Sequence, residues 1–196
     1  MLDFRKTEFV RSAASGRDFP KDQDPRIVFA GRSNVGKSST LNALTDHKNF
    51  AKVSSVPGKT VFVNLFRTCG RLWLVDLPGY GYAKRSQSEQ ERFSKLIEGY
   101  FTADRDQIAR LYIIVDLRHA PTKDDCQMVE WARYFQVPFT VIANKLDKLR
   151  PSQVEPAIQL ARKTLGLQDE VLIPFSAEKK TGRDLLIADI TKAIGE

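Results

Sequence analysis

Two cysteines in 196 residues, Cys69 and Cys126, exclude a disulfide framework and a cysteine-built zinc site. The two histidines, His47 and His119, have no paired carboxylate, nucleophile or metal-ligand spacing around them, so both read as structural. No stretch reaches the roughly 18–20 uninterrupted apolar residues of a membrane span. The first residues mix Asp3, Arg5, Lys6, Glu8 and Arg11 with apolar side chains where a secretory signal needs an apolar core. Low-complexity tracts and internal repeats are absent. These absences predict a cytoplasmic, single-domain protein with no membrane partner, and nothing in them suggests more than a monomer. Acidic residues are the scarcer charge, 24 Asp+Glu against 31 Lys+Arg for a net +7, and residues 1–60 alone carry +5. That excess reads either as a solvated surface or as a face for a polyphosphate or nucleic acid.

What is present is an alternation of strands and helices. Apolar runs of strand length lie at 26–30, 61–68, 72–75, 111–115, 139–143 and 171–175. Between them Phe93, Leu96, Ile97, Tyr100 and Phe101 form a helical stripe. Met128, Trp131, Ala132 and Phe135 form a second, and Val154, Ala157, Ile158, Ala161 and Leu165 a third, with Ser152 and Glu155 in capping-box spacing at its start. Leu186, Ile187, Ile190, Ala193 and Ile194 make a fourth. The expectation is an α/β fold with a mostly parallel six-stranded sheet covered on both faces, ligands binding at the carboxyl ends of the strands. Residues 1–24 read as a short segment packed on a domain spanning 25–196.

The residues after the first strand fit that rule. Gly31, Arg32, Ser33, Asn34, Val35, Gly36, Lys37 and Ser38, followed by Ser39, match G-x-x-x-x-G-K-[ST] at every fixed position. Glycines let the backbone wrap so that successive N–H groups face phosphate oxygens, and a helix over about 37–44 puts its positive end against the anion. Lys37 is placed to reach the β- and γ-phosphates, and the Ser38 hydroxyl to coordinate Mg²⁺.

Four further loops narrow the nucleotide. Asp76, Leu77, Pro78 and Gly79 follow the strand at 72–75; Asp76 suits a metal held through water, and Gly79 a backbone N–H close to the γ-phosphate. Asn144, Lys145 and Asp147 follow the strand at 139–143 as N-K-x-D. A carboxylate at Asp147 accepts from guanine N1–H and the 2-amino group, where adenine offers no donor. Lys145 lies along the base, and Asn144 ties this loop to the phosphate loop. Ser176, Ala177 and Glu178 place a backbone N–H at guanine O6. Gly58, Lys59 and Thr60 form the candidate first switch, with the Thr60 hydroxyl on Mg²⁺ when γ-phosphate is present.

With these residues in order, the chain resembles the EngB family (also called YihA or YsxC) of translation-factor-class P-loop GTPases. The stretches that carry the likeness run from Phe29 to Ser39, from Val56 to Thr60, and from Asp76 to Ala83 with its Pro78, Gly79, Tyr80, Gly81 and Tyr82 core. Many relatives carry Thr where this chain has Asn144. The resemblance implies a G domain that binds GTP and GDP, uses Mg²⁺, and assists assembly of the large (50S) ribosomal subunit through rRNA and ribosomal proteins, with effects on growth, cell division and septation.

The resemblance also frames the catalytic set, Lys37, Thr60, Gly79 and Asn34. Tyr80 stands where Ras-like enzymes place a water-orienting Gln, which predicts slow hydrolysis. In related GTPases an Asn at the position of Asn34 helps hold K⁺ beside the phosphates; here it either does so or braces the loop. Lys48, Lys52, Lys59, Lys84, Arg85 and Arg92, with the other basic residues of the first sixty, make a candidate footprint on rRNA phosphates, or else are solvated side chains. Two rivals remain. A small-molecule P-loop kinase would want an Arg-rich lid and has no use for N-K-x-D. A GTPase serving another RNA or a trafficking pathway would run on the same residues.

Overall fold

The structure, a computed structural model, describes residues 2–47, 62–81 and 87–196. Among them seven strands form one sheet: β1 Thr7–Ala13, β2 Arg26–Gly31, β3 Val63–Thr68, β4 Leu72–Asp76, β5 Ile108–Asp116, β6 Phe139–Asn144 and β7 Leu172–Pro174. Their order across the sheet is β1-β3-β4-β2-β5-β6-β7, with the β1–β3 and β3–β4 pairs antiparallel and the rest parallel. The helices are α1 Lys37–Thr45, α2 Gln87–Asp104, α3 Lys123–Tyr134, α4 Pro151–Thr164 and α5 Arg183–Ala193.

The central strands are apolar throughout because both faces are covered. In β2, Ile27 and Phe29 face a layer holding Leu41 and Leu44 of α1 and Leu186 and Ile190 of α5. Val28 and Ala30 face the opposite layer, with Ile97, Tyr100 and Phe101 of α2 and Met128 and Ala132 of α3.

The expected six strands become seven because the N-terminal segment supplies β1. Its five central residues are all exposed, so it carries no apolar face to betray it in the sequence. It is held by backbone pairing to β3, with a bulge between Phe9 and Arg11. The third helical stripe also needs correction. Its cap is not at Ser152; α4 opens at Pro151, whose fixed φ suits a first helical position, and the Arg150 N–H donates to Gln153 Oε1 at 2.9 Å.

Candidate nucleotide site

The site residues gather at the carboxyl ends of β2, β4 and β6. Gly31 closes β2, and the loop after it leads to Gly36, which caps α1 at φ 97°. A Cβ on Gly36 would run into the Asn144 amide, so only glycine fits this approach. Asn34 also has a positive φ, 69°, a conformation asparagine tolerates better than most residues. Lys37 opens α1 and forms an ion pair with Asp76, the last residue of β4, which is 6% exposed. Ser38 is next on α1, and exposed Ser39 follows it at the mouth of the site.

Leu77 is fully buried, with its N–H on Phe29 O at 2.9 Å. Past Pro78, the second switch lies against the phosphate loop. Ser33 N–H donates to Tyr80 O at 3.0 Å, and Tyr80 N–H to Gly31 O at 3.3 Å. A Cβ on Gly79 would come within 3.0 Å of Ser33 Oγ. Tyr80 itself is 4% exposed, and its hydroxyl donates to Asp125 Oδ1 at 2.9 Å. This geometry packs the Tyr80 side chain into the fold against α3.

At the base end, Asn144 is 2% exposed and does more than expected. Its Nδ2 donates to Val35 O at 2.9 Å in the phosphate loop, and its Oδ1 accepts from Ala177 N–H at 3.1 Å. One side chain thus joins three loops. Lys145 Nζ donates to Asn34 O at 2.7 Å and pairs with Asp116 at 2.8 Å. Asp147 Oδ1 accepts from Ser176 Oγ at 2.5 Å and Oδ2 pairs with Lys148 at 3.0 Å; Lys148 in turn reaches Glu178 at 2.7 Å. The Ser176 hydroxyl, against a push from burial and aided by Lys148, holds Asp147 below the usual carboxylate range. A cleft of about 630 Å³ lies here, lined by Gly36, Ser39, Asn42, Asn144, Asp147 and Ala177 among others.

Gly58, Lys59 and Thr60 lie outside the described residues, as do Lys48, Lys52, Lys84 and Arg85. Of the basic residues once grouped as a footprint, exposed Arg92 stays available, but Arg26 does not. It is fully buried, paired with Asp22 at 3.1 Å and Asp104 at 3.3 Å. Burial of a guanidinium requires such partners, so its charge is spent inside the fold.

Sequence reasoning missed three residues that the fold brings to the site. Asp116, at the end of β5, holds Lys145 and also Arg118 at 2.8 Å. Burial pushes its carboxyl up, but the Arg118 and Lys145 hydrogen bonds outweigh that and hold it well below the usual range. Asn64 donates to Asp76 Oδ2 at 3.3 Å, and Asp125 anchors Tyr80. Two signals pointed at them: Asp116 ends an apolar strand, where ligand residues collect, and Asp125 stands three residues after Thr122 in capping-box spacing.

A phosphate cradle at a helix start, an acidic strand end and a carboxylate in the base cleft can hold a guanine nucleotide, and similar proteins agree. Residues 26–145 match the family described as 50S ribosome-binding GTPase. The probable GTP-binding protein EngB of Oceanobacillus iheyensis is 44% identical over 178 residues, 90% of this chain and 91% of that protein. Its counterpart in Clostridium acetobutylicum is 44% identical over 191 residues, 97% and 95% of the two chains. A crystal structure of a probable GTP-binding protein EngB superposes with a TM-score of 0.74 at 26% identity, covering 86% of this chain and 98% of that one. Era bound to MgGDPNP and a segment of 16S ribosomal RNA shares the fold, with a TM-score of 0.62 at 22% identity over 88% of this chain and 57% of that one. The chain belongs to the EngB family of GTP-binding proteins, P-loop GTPases that bind guanine nucleotides and hydrolyse GTP.

Proposed function

We propose that this GTPase is a slow nucleotide-dependent switch in assembly of the large (50S) ribosomal subunit, acting in the cytoplasm as a monomer and needed for normal growth and septation. The observation that carries the switch is the Asn144 side chain, which ties the base loop to Val35 O and Ala177 N–H, so that phosphate and base readout move as one body. The ribosomal assignment draws on the match of residues 26–145 to the 50S ribosome-binding family and on the net charge of +7. Residues 1–24 act as part of the domain at 25–196, through the pairing of β1 with β3.

Gly31, Arg32, Ser33, Asn34, Val35, Gly36, Lys37, Ser38 and Ser39 enclose the phosphates, and Asn144, Lys145, Asp147, Ser176, Ala177 and Glu178 the base. The donor set at the phosphate end fits Mg²⁺, since the Ser38 hydroxyl and the Asp76 carboxylate are hard oxygen ligands beside an anion cradle. Ser38 and Thr60 would hold the ion directly and Asp76 through water. When bound, Mg²⁺ neutralises charge between the β- and γ-phosphates. Lys37, paired with Asp76 in the structure, would swing its ammonium to the β- and γ-phosphates when nucleotide binds. Gly79 offers a backbone N–H to the γ-phosphate, and Leu77 and Pro78 set its approach. Gly58 and Lys59 carry Thr60 into place. Contacts of this kind order both switches with GTP and release them after hydrolysis.

Hydrolysis is slow because the Tyr80 side chain turns toward α3 and does not itself orient water. Exposed Asn34, at the tip of the phosphate loop, would support a K⁺ ion beside the phosphates; equal turnover in KCl and NaCl at matched ionic strength rejects this part. Co-sedimentation with 50S particles in GTP and in GDP, at several salt concentrations, tests the whole reading. Binding that prefers GTP and weakens steeply with salt is expected. Absence from 50S particles in every state overturns the ribosomal role.

A further inference from the structure

Three residues stand directly opposite one another across three strands. Ser12 of β1 is in register with Asn64 of β3, and Asn64 with Asp76 of β4. Opposed residues point to the same face of a sheet, so their side chains can form a line. They do. Ser12 Oγ donates to Asn64 Oδ1 at 2.7 Å, Asn64 Nδ2 donates to Asp76 Oδ2 at 3.3 Å, and Asp76 Oδ1 is paired with Lys37.

The direction of this line follows from the chemistry of the groups. An ionised carboxylate only accepts, so the Asn64 amide must face Asp76 with its nitrogen. The amide oxygen is then turned to Ser12, and the serine hydroxyl can donate to it. The reversed amide would set two oxygens face to face beside Asp76. Asp76 therefore sets the amide orientation, and the Ser12 hydroxyl, which can serve as donor or acceptor, donates to the oxygen so exposed and holds the amide there. The two oxygens of Asp76 also differ in what holds them. Lys37 is a long side chain whose ammonium is wanted by nucleotide phosphates; Asn64 is a short one, fixed on a central strand. When Lys37 leaves for the phosphates, Asn64 is the contact that keeps the carboxylate from rotating.

We propose that Asn64, held in place by Ser12, is a positioning residue for Asp76, so that the N-terminal edge strand helps set the Mg²⁺ affinity of the nucleotide site. The proposal rests on the reading of Asp76 as the residue that holds the ion through water. Residues behind a metal's immediate partners commonly change its affinity about 10–100-fold when removed. Asn64 sits behind a water-mediated partner, so the lower end of that range is expected.

The test is release of a fluorescent GDP analogue from the full chain as Mg²⁺ is titrated, with a second series in chelator. Asn64→Ala is expected to raise the Mg²⁺ concentration for half-maximal retention about tenfold, and to leave release in chelator unchanged. Ser12→Ala, at an exposed strand where folding is not at stake, is expected to shift it the same way by less. Asp76→Ala serves as the reference. If it leaves Mg²⁺ dependence unchanged, the reading of Asp76 fails and the proposal with it. If Asp76→Ala shifts the dependence while Ser12→Ala and a folded Asn64→Ala do not, the proposal alone is overturned. Should Asn64→Ala not fold, Ser12→Ala decides: a shift supports the proposal and none overturns it. Acceleration by Asn64→Ala that is equal with and without Mg²⁺ also overturns it, since it marks a loosened fold.

Discussion

Tyr80 and Asp125 join the second switch to the start of α3. The phenolic hydroxyl donates to Asp125 Oδ1 at 2.9 Å, while Asp125 Oδ2 accepts from the Thr122 N–H and hydroxyl, each at 2.8 Å. Removing the hydroxyl in Tyr80→Phe forfeits a buried hydrogen bond to a charged acceptor, worth about 1.5–3 kcal/mol. Urea unfolding should show a loss of that size. Tyr80→Gln should not speed hydrolysis, because the backbone bonds to Gly31 and Ser33 aim this side chain at α3 and away from the phosphate loop. A tenfold rise in kcat in that variant would contradict the geometry.

Asn144 satisfies a carbonyl of the phosphate loop and an N–H of the last loop at once. Alanine there leaves both groups without a partner in a buried setting, at a cost of roughly 1–3 kcal/mol for each unsatisfied group. Asn144→Ala should lower both the melting temperature and guanine-nucleotide affinity. Gly36→Ala should be as damaging to binding for a separate reason: a side chain at φ 97° is strained and strikes the same Asn144 amide. Calorimetric titration with GDP reads both, and near-normal affinity in either variant would refute the packing argument.

Asp116 holds Lys145 over the cleft, together with Asn34 O. Asp116→Asn keeps the shape and removes the charge. Nucleotide affinity should fall about tenfold, the lower end of what a hydrogen bond between charged groups is worth. The native carboxyl is depressed, so its contribution is complete above the ordinary value of 3.8 and disappears as pH falls through the lower folded value. Comparing the acid unfolding of Asp116→Asn with that of the native chain checks the sign: the native chain should lose more stability in that window.

How far the sequence reveals these features depends on what each is made of. A phosphate loop must be contiguous, and β2 is a buried parallel strand, so both are visible as short patterns. The base loop is legible because Asn144, Lys145 and Asp147 act from one turn. Strand β1 is not: it is an edge strand whose pairing lies in its backbone, and its side chains show no apolar period. Asn64, Asp116 and Asp125 act at the site through Asp76, Lys145 and Tyr80, which lie elsewhere in the chain; the capping spacing of Thr122 and Asp125 marks the start of α3 but says nothing of Tyr80. Arg26 misleads for the opposite reason. A positive charge counted toward an RNA face is closed inside the fold by Asp22 and Asp104.

Alkaline stability should depend on the same switch tyrosine. Burial pushes the hydroxyls of Tyr80, Tyr100 and Tyr112 well above the ordinary value of 10.0, and Asp125 and Asp189 add to it by accepting from Tyr80 and Tyr112. The folded chain keeps these protons at a pH where the unfolded chain releases them. Unfolding is then favoured as pH rises, and stability falls from about pH 10 upward, by roughly 1.4 kcal/mol per pH unit for each tyrosine that stays protonated. Denaturant unfolding followed between about pH 8 and 11 measures the slope. Tyr80→Phe removes one of these protons from the balance, so its slope should be shallower by one tyrosine's share even though the variant is less stable at neutral pH. Identical slopes for the two proteins would mean that Tyr80 is not held protonated against α3.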